Sequence, residues 1–155
     1  MSPVRHPRAA SAADLPVLRE LLAGQQLPDA GLAGSWAVWV VDGDEPGALA
    51  GAVALERHQD RAGTAYLLRS LVVADSSRDR GIGGMLVRTA LAAADSDVSG
   101  PSPVALLTET ADGYFPRFGF TPVQRADLPA ALSGSPELSG GCPGSARAYL
   151  RPPQA

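Results

Sequence analysis

Hydrophobic residues first recur with a helical period at Leu15, Leu18, Leu21 and Leu22, three and four residues apart, which predicts one amphipathic helix. Ser11 with Asp14 three residues on marks its start, and Gly24 its stop. Residues 4–8 read as a short extended start, and a weaker helical turn is expected after Pro28. The period then changes. Residues 36–41 are β-branched and aromatic, the run Asp42-Gly43-Asp44-Glu45-Pro46-Gly47 supplies a turn, and residues 48–55 form the second arm of a hairpin. A polar turn over 58–63 leads into the strongest strand, 64–73. A helix is predicted over 81–94, with Ile82, Met85, Leu86, Thr89, Ala90 and Ala93 on one face. Ser, Gly and Pro break the pattern over 95–103. A buried strand at 104–108, a short helix at 111–118, a strand at 120–123 and a helical turn at 127–132 follow. A Gly/Ser/Pro loop over 133–145 then precedes a last strand at 146–150.

This order predicts an α/β (α+β) fold with a mixed central sheet and helices on both faces, in a single domain over 1–155. A content of 45% hydrophobic residues is enough to fill one core. The net charge of -3 argues against nucleic acid or an anionic membrane as partner, since either requires a dense positive field. All 13 basic residues are Arg. The lone Cys142 has no internal disulfide partner, and no leader-like or membrane-spanning window is visible, so a cytoplasmic protein is expected.

The chemistry concentrates where the strand over 64–73 gives way to the helix over 81–94. Gly81 and Gly83 open that helix, where unpartnered N–H groups and the helix dipole form a cradle for a diphosphate, with Arg78 and Arg80 beside it. The bland alternative is that both glycines serve tight helix–strand packing. A dinucleotide fingerprint would require Gly-x-Gly-x-x-Gly after the first strand, and a Walker loop requires a Lys that the chain lacks.

The run Leu71-Val72-Val73-Ala74-Asp75-Ser76-Ser77-Arg78-Asp79-Arg80-Gly81-Ile82-Gly83-Gly84-Met85-Leu86 resembles the central motif of the GNAT acetyltransferases, with Asp75 where Pro is common. Tyr114-Phe115-Pro116-Arg117-Phe118-Gly119-Phe120 resembles that family's aromatic helix ending in Gly-Phe. The likeness covers about residues 36–123. It implies a sheet splayed after Val73, with acetyl-coenzyme A as cosubstrate and no metal. Val72 and Val73 would meet the pantetheine arm, and the amides of Arg78, Asp79, Arg80, Gly81, Ile82, Gly83 and Gly84 would hold the diphosphate. The partner implied is a small-molecule amine, and a homodimer is compatible with the likeness although no stripe prescribes it.

Acetyl transfer needs a base for the amine and benefits from a proton donor for the thiolate. In many members that donor is a Tyr four residues before the Gly of Gly-Phe, a position held here by Phe115. Tyr114, one residue earlier, is the candidate acid, with packing as the alternative. Glu56 and Glu109, each at a strand end, are candidate bases, or else solvated carboxylates. Arg69 stands inside an otherwise apolar strand, so it pairs with Glu56 or Glu109 or binds a substrate carboxylate. Ser70 faces the opposite side.

Leu68-Arg69-Ser70-Leu71-Val72-Val73, Leu106-Leu107-Thr108-Glu109-Thr110-Ala111, Arg125-Ala126-Asp127-Leu128-Pro129-Ala130 and Cys142-Pro143-Gly144-Ser145-Ala146 together resemble the arsenic-resistance-associated subgroup related to arsinothricin N-acetyltransferases. This implies an acidic amino-acid acceptor, met by Arg69, Ser70 and Arg125. Cys142 alone makes a poor arsenic ligand and reads as packing. The alternative function is a catalytically silent acyl-coenzyme A binder of the same fold.

Overall fold

The computed structural model describes residues 5–109, 113–138 and 146–154. Its strands are β1 (Arg8–Ala9), β2 (Ala37–Asp42), β3 (Leu49–Asp60), β4 (Gly63–Val73), β5 (Val104–Thr108), β6 (Thr121–Val123) and β7 (Arg147–Arg151), with helices α1 (Asp14–Gly24) and α2 (Ile82–Asp95). They form one seven-stranded sheet in the order β1-β2-β3-β4-β5-β7-β6. Ladders are antiparallel except β4 with β5, whose parallel pairing requires the crossover that α2 provides. The mixed sheet with a helix on each face is the architecture expected from the chain's periodicities.

Strand alternation divides the core between the two faces. Val53, Leu55, Tyr66, Leu68 and Leu106 turn toward α2, which buries Ile82, Leu86, Val87, Ala90, Leu91 and Ala94. The buried stripe is therefore rotated from the predicted one: Met85 is only partly buried, and Thr89 returns its hydroxyl to the Met85 carbonyl at 2.8 Å. On the other face Leu18 and Leu22 of α1 pack on Val40, Ala52, Ala54 and Val72. Each of these leucines is fully buried, worth about 1.5–3 kcal/mol relative to exposure. Leu132 covers Ala65, Leu67 and Ala105 beside them.

Several boundaries differ from expectation. The polar stretch 58–63 is mostly strand, because Arg57, His58 and Gln59 pair with Tyr66, Ala65 and Thr64 where the hairpin extends past the core. The turn itself is short, the Asp60 carboxylate accepting from the N–H groups of Ala62 and Gly63 at 2.9 and 3.2 Å. The helix expected over 111–118 is a 3₁₀ turn at Phe115–Phe118, residues 110–112 lying outside those described. The turn expected over 127–132 is two 3₁₀ turns, Arg125–Asp127 and Ala130–Gly134.

At the start of α1 the Asp14 carboxylate accepts from the Ser11 N–H at 2.7 Å, so the expected start signal works through the acid. At its end the helix runs through Gly24 to Gln25. Gln26 N–H bonds to Ala23 and Leu27 N–H to Leu22, a Schellman closure with Gln26 at φ 58°. A left-handed conformation is costly for any residue with a Cβ. Replacing the exposed Gln26 by Gly is expected to raise stability by about 1 kcal/mol, as read by chemical denaturation.

Candidate functional site

The site begins with a fault in β4. Ala52 pairs with Val72, but Ala54 pairs with Arg69, so Ser70 and Leu71 together oppose Val53. This is a β-bulge, with Ser70 at φ 57°. On the other edge β4 meets β5 at Tyr66 with Val104 and Leu67 with Ala105, and there the ladder ends. β5 continues to Thr108 but pairs with β7. The two parallel strands therefore part, leaving the edge of β4 from Leu68 to Val73 without a β5 ladder. Ala74 N–H bonds to Ala50 O of β3, so by alternation the peptide groups of Val73 face the opening.

Beyond Val73 a 3₁₀ turn (Asp75–Ser77) leads to Arg78, Asp79 at φ 64° and Gly81 at φ 76°, and α2 begins at Ile82. The N-cap position of α2 is Gly81, which has no side chain to cap the helix. Its first amides, Ile82, Gly83 and Gly84 among them, have no carbonyl one turn back to bind, so they point out of the helix end beside the parted strands. Arg78 meets Asp75 at 3.2 Å and Arg80 lies 3.9 Å from Asp44, both more than half exposed. A hollow of about 250 Å³ adjoins this loop on the side of the β2–β3 turn, lined by Arg5, Asp44, Ser77, Arg80, Ile82 and Met85.

Gly83 shows why small residues stand here. A Cβ on it would lie 2.9 Å from the Tyr114 hydroxyl and 3.6 Å from Val73 Cγ2. The phenol thus reaches the start of α2 and the end of β4 together. Its ring packs edge-on against Phe115 and Phe118, with the Arg117 guanidinium 4.8 Å above it. Burial pushes its pKa above the usual tyrosine range, and Arg117 and Arg88 offset only part of that rise. Phe115 turns the other way, into the core against Phe120 and Tyr149.

Arg69 lies on the α1 face with its side chain fully enclosed. Its Nη1 bonds to Glu56 Oε2 at 2.8 Å and to Ala30 O at 2.6 Å, its Nε to Ser70 Oγ at 3.1 Å, and Glu137 is 3.5 Å away. Glu56 also meets His58 Nε2 at 2.7 Å. Burial raises the pKa of Glu56, but the bonds from His58, Arg69 and Ser135 together outweigh it and hold it below its ordinary value. Of the roles open to Arg69, pairing with Glu56 is therefore the one the geometry displays, and Glu56 is committed to the same cluster. Ser70, expected on the side opposite Arg69, is instead buried at the bulge with its hydroxyl accepting from Arg69 Nε, because the extra residue and its positive φ break the strand's alternation. Glu109 is exposed just past β5, and Arg125 is half-buried with its Nη2 3.4 Å from Ala146 O. Cys142 lies outside the described residues. The sequence reading missed Gln25, Glu137 and Ser135; a polar residue after a helix or within a Gly/Ser/Pro loop carries no signal of burial.

Among the described residues no group of three His, Cys, Asp or Glu side chains gathers as metal ligands would, and no helix is long and apolar enough to cross a membrane. The family model described as "Acetyltransferase (GNAT) domain" matches residues 34–122. N-acetylglutamate synthase from Neisseria gonorrhoeae, solved with coenzyme A and N-acetyl-glutamate, is similar at TM-score 0.75 and 18% identity over 100% of this chain, which spans 36% of the synthase. An acetyltransferase of the GNAT family from Staphylococcus aureus Mu50 is similar at TM-score 0.76 and 16% identity, over 96% of this chain and 99% of that one. A GNAT family acetyltransferase from Brucella melitensis, solved with acetyl-CoA, has TM-score 0.61 and 23% identity over 77% and 84% of the two chains. No curated protein sequence matches.

Breaking the Glu56–Arg69 pair leaves a buried guanidinium undercompensated. Glu56→Gln is expected to cost about 3 kcal/mol at pH 7. Because the folded pKa is depressed, the contribution is complete above the ordinary value of 4.5 and is lost as pH falls through the folded one. Denaturation at pH 7 and pH 4 checks both points: the difference between variant and wild type shrinks at the lower pH.

Proposed function

Because the chain belongs to the GNAT acetyltransferase family, we propose that it moves the acetyl group of acetyl-coenzyme A onto the amine of a small, amino-acid-like acceptor. The observation that carries this reading is the bare edge of β4 beyond Leu67, ending beside the uncapped start of α2. Such an edge offers amide and carbonyl groups to an extended chain with amides of its own. The outward amides of Gly81, Ile82, Gly83 and Gly84, with Arg78, Asp79 and Arg80 in the loop before them, suit a diphosphate. Val72 and Val73 line the run between the bulge and that loop, and a backbone N–H near Val73 polarises the thioester carbonyl.

The acceptor nitrogen must lose a proton as its bond to the acetyl carbon forms. We assign that proton to Glu109 through a water, since Glu109 is exposed past the end of β5 whereas Glu56 is enclosed with Arg69. As the carbon–sulfur bond breaks, Tyr114 gives its phenolic proton to the departing sulfur. Its raised pKa keeps it protonated across neutral pH. For the acceptor we propose an acidic amino acid of the glutamate or arsinothricin type, its side-chain acid group meeting Arg125. Arg69 then serves as support beneath the cleft. The silent-binder reading draws its support from Phe115, whose ring is buried in the core where many relatives carry the acid.

Release of free thiol from acetyl-coenzyme A, followed across a panel of amines with glutamate, arsinothricin and phosphinothricin included, tests the assignment. Turnover of none of them, alongside measurable coenzyme A binding, would select the silent binder. Tyr114→Phe is expected to lower kcat about 10²-fold and to remove an alkaline fall in kcat that wild type shows above the ordinary tyrosine pKa. Glu109→Gln should lower kcat/KM by about tenfold or more with coenzyme A affinity unchanged. Arg78→Ala is expected to weaken coenzyme A binding severalfold, about 1 kcal/mol for a charge-assisted contact at an exposed site.

A further inference from the structure

Gln25 holds a contact that the acetyl-transfer assignment leaves unused. It closes α1, and the main-chain bonds from Gln26 to Ala23 and from Leu27 to Leu22 fix its backbone. Its half-buried carboxamide spans two parts of the cosubstrate region. Nε2 donates to Val73 O at 2.7 Å, and Oε1 accepts from Arg78 Nη2 at 3.1 Å. Were the β4–β5 ladder to continue, the Val73 carbonyl would take a backbone N–H from β5. The side chain of Gln25 supplies that donor in its place.

A carbonyl oxygen has two lone pairs, so Val73 still accepts a second N–H from an extended ligand laid along the same edge. Meanwhile Arg78, more than half exposed, is held between Asp75 and Gln25 in the loop that precedes α2. We infer that Gln25 is a positioning residue for the acyl carrier, aligning the end of β4 with the arginine of the phosphate loop. The same residue ties the end of α1 to the strand edge and the loop before α2. The inference rests on the coenzyme A reading given above.

Calorimetric titration of the full chain with coenzyme A tests it. Gln25→Ala, which loses both bonds, is expected to bind about fivefold more weakly. Gln25→Glu keeps the length and strengthens the pairing with Arg78, but it sets a carboxylate oxygen against the Val73 carbonyl. It is expected to bind about tenfold more weakly or worse. The acceptor KM at saturating acetyl-coenzyme A should stay at its wild-type value in both variants, and the loss of affinity should exceed what any accompanying fall in melting temperature accounts for. Wild-type affinity in either variant would overturn the inference, as would a loss of affinity that merely follows a fall in melting temperature. Absence of coenzyme A binding by the wild-type chain would overturn the acetyltransferase reading itself and take this inference with it.

Discussion

The parting of β4 from β5 after Leu67 and Ala105 is the constraint on which the rest of the structure depends. A strand edge inside a domain leaves main-chain donors and acceptors without a ladder, and such groups are costly unless something meets them. The chain supports the fault from both sides. The bulge at Ser70 turns β4 away on its β3 side, and the Gln25 carboxamide satisfies Val73 from the α1 side. Among the described residues, those with positive φ that are not glycine are Gln26, Ser70 and Asp79. All three flank this fault: one beside Gln25, one at the bulge, one in the loop before α2. Strained backbone of this kind persists where its surroundings over-determine it, and here it shapes a groove.

Two faces of the sheet divide the labour. The α2 face is almost wholly apolar, with Leu68 and Val87 in one continuous cluster. The α1 face interrupts its apolar packing with Glu56, Arg69 and Glu137, all nearly inaccessible. Buried ion pairs seldom add net stability over a well-packed apolar set. The cluster's value is better sought in what it fixes. Arg69 bonds the Ala30 carbonyl, and Glu137 brings the segment after Leu132 against the same guanidinium. The segments carrying Ala30 and Glu137 are thereby tied to the strand carrying the bulge, while the guanidinium Nη2 has no hydrogen-bond partner among the described residues.

Much of this was legible in the residues. Strand and helix periods gave the alternation around the sheet, and the glycine turn between β4 and α2 pointed to the groove through its likeness to the acetyltransferase motif, since the glycine spacing alone fits tight helix–strand packing as well. What escaped was what depends on tertiary partners. His58 and Gln59 read as turn because polarity signals a loop, yet a hairpin that overruns the core keeps polar residues in a regular ladder. Gln25 read as nothing at all, since a polar residue after a helix is ordinarily solvated. Arg69 was visible as an anomaly within an apolar strand, but which carboxylate answered it was not, because Glu56 and Glu109 each stand at a predicted strand end and only the register of β3 on β4 decides which lies beside it.

Tyr114 carries the last step. A helix through 111–118 would set Tyr114 about 100° from Phe115 and leave its direction open. The 3₁₀ turn resolves the pair differently: Phe115, with no polar atom to satisfy, fills the core beside Phe120, and Tyr114 is turned out to the end of β4. Under the proposed mechanism, the acid absent at Phe115 is offset by the phenol one residue earlier, provided that the opposing helix yields room. Gly83 yields it, because any side chain there would meet the hydroxyl at 2.9 Å. The second glycine of the turn is therefore constrained by the phenol at its side. Its φ is not among the positive ones, so space and not conformation fixes its identity.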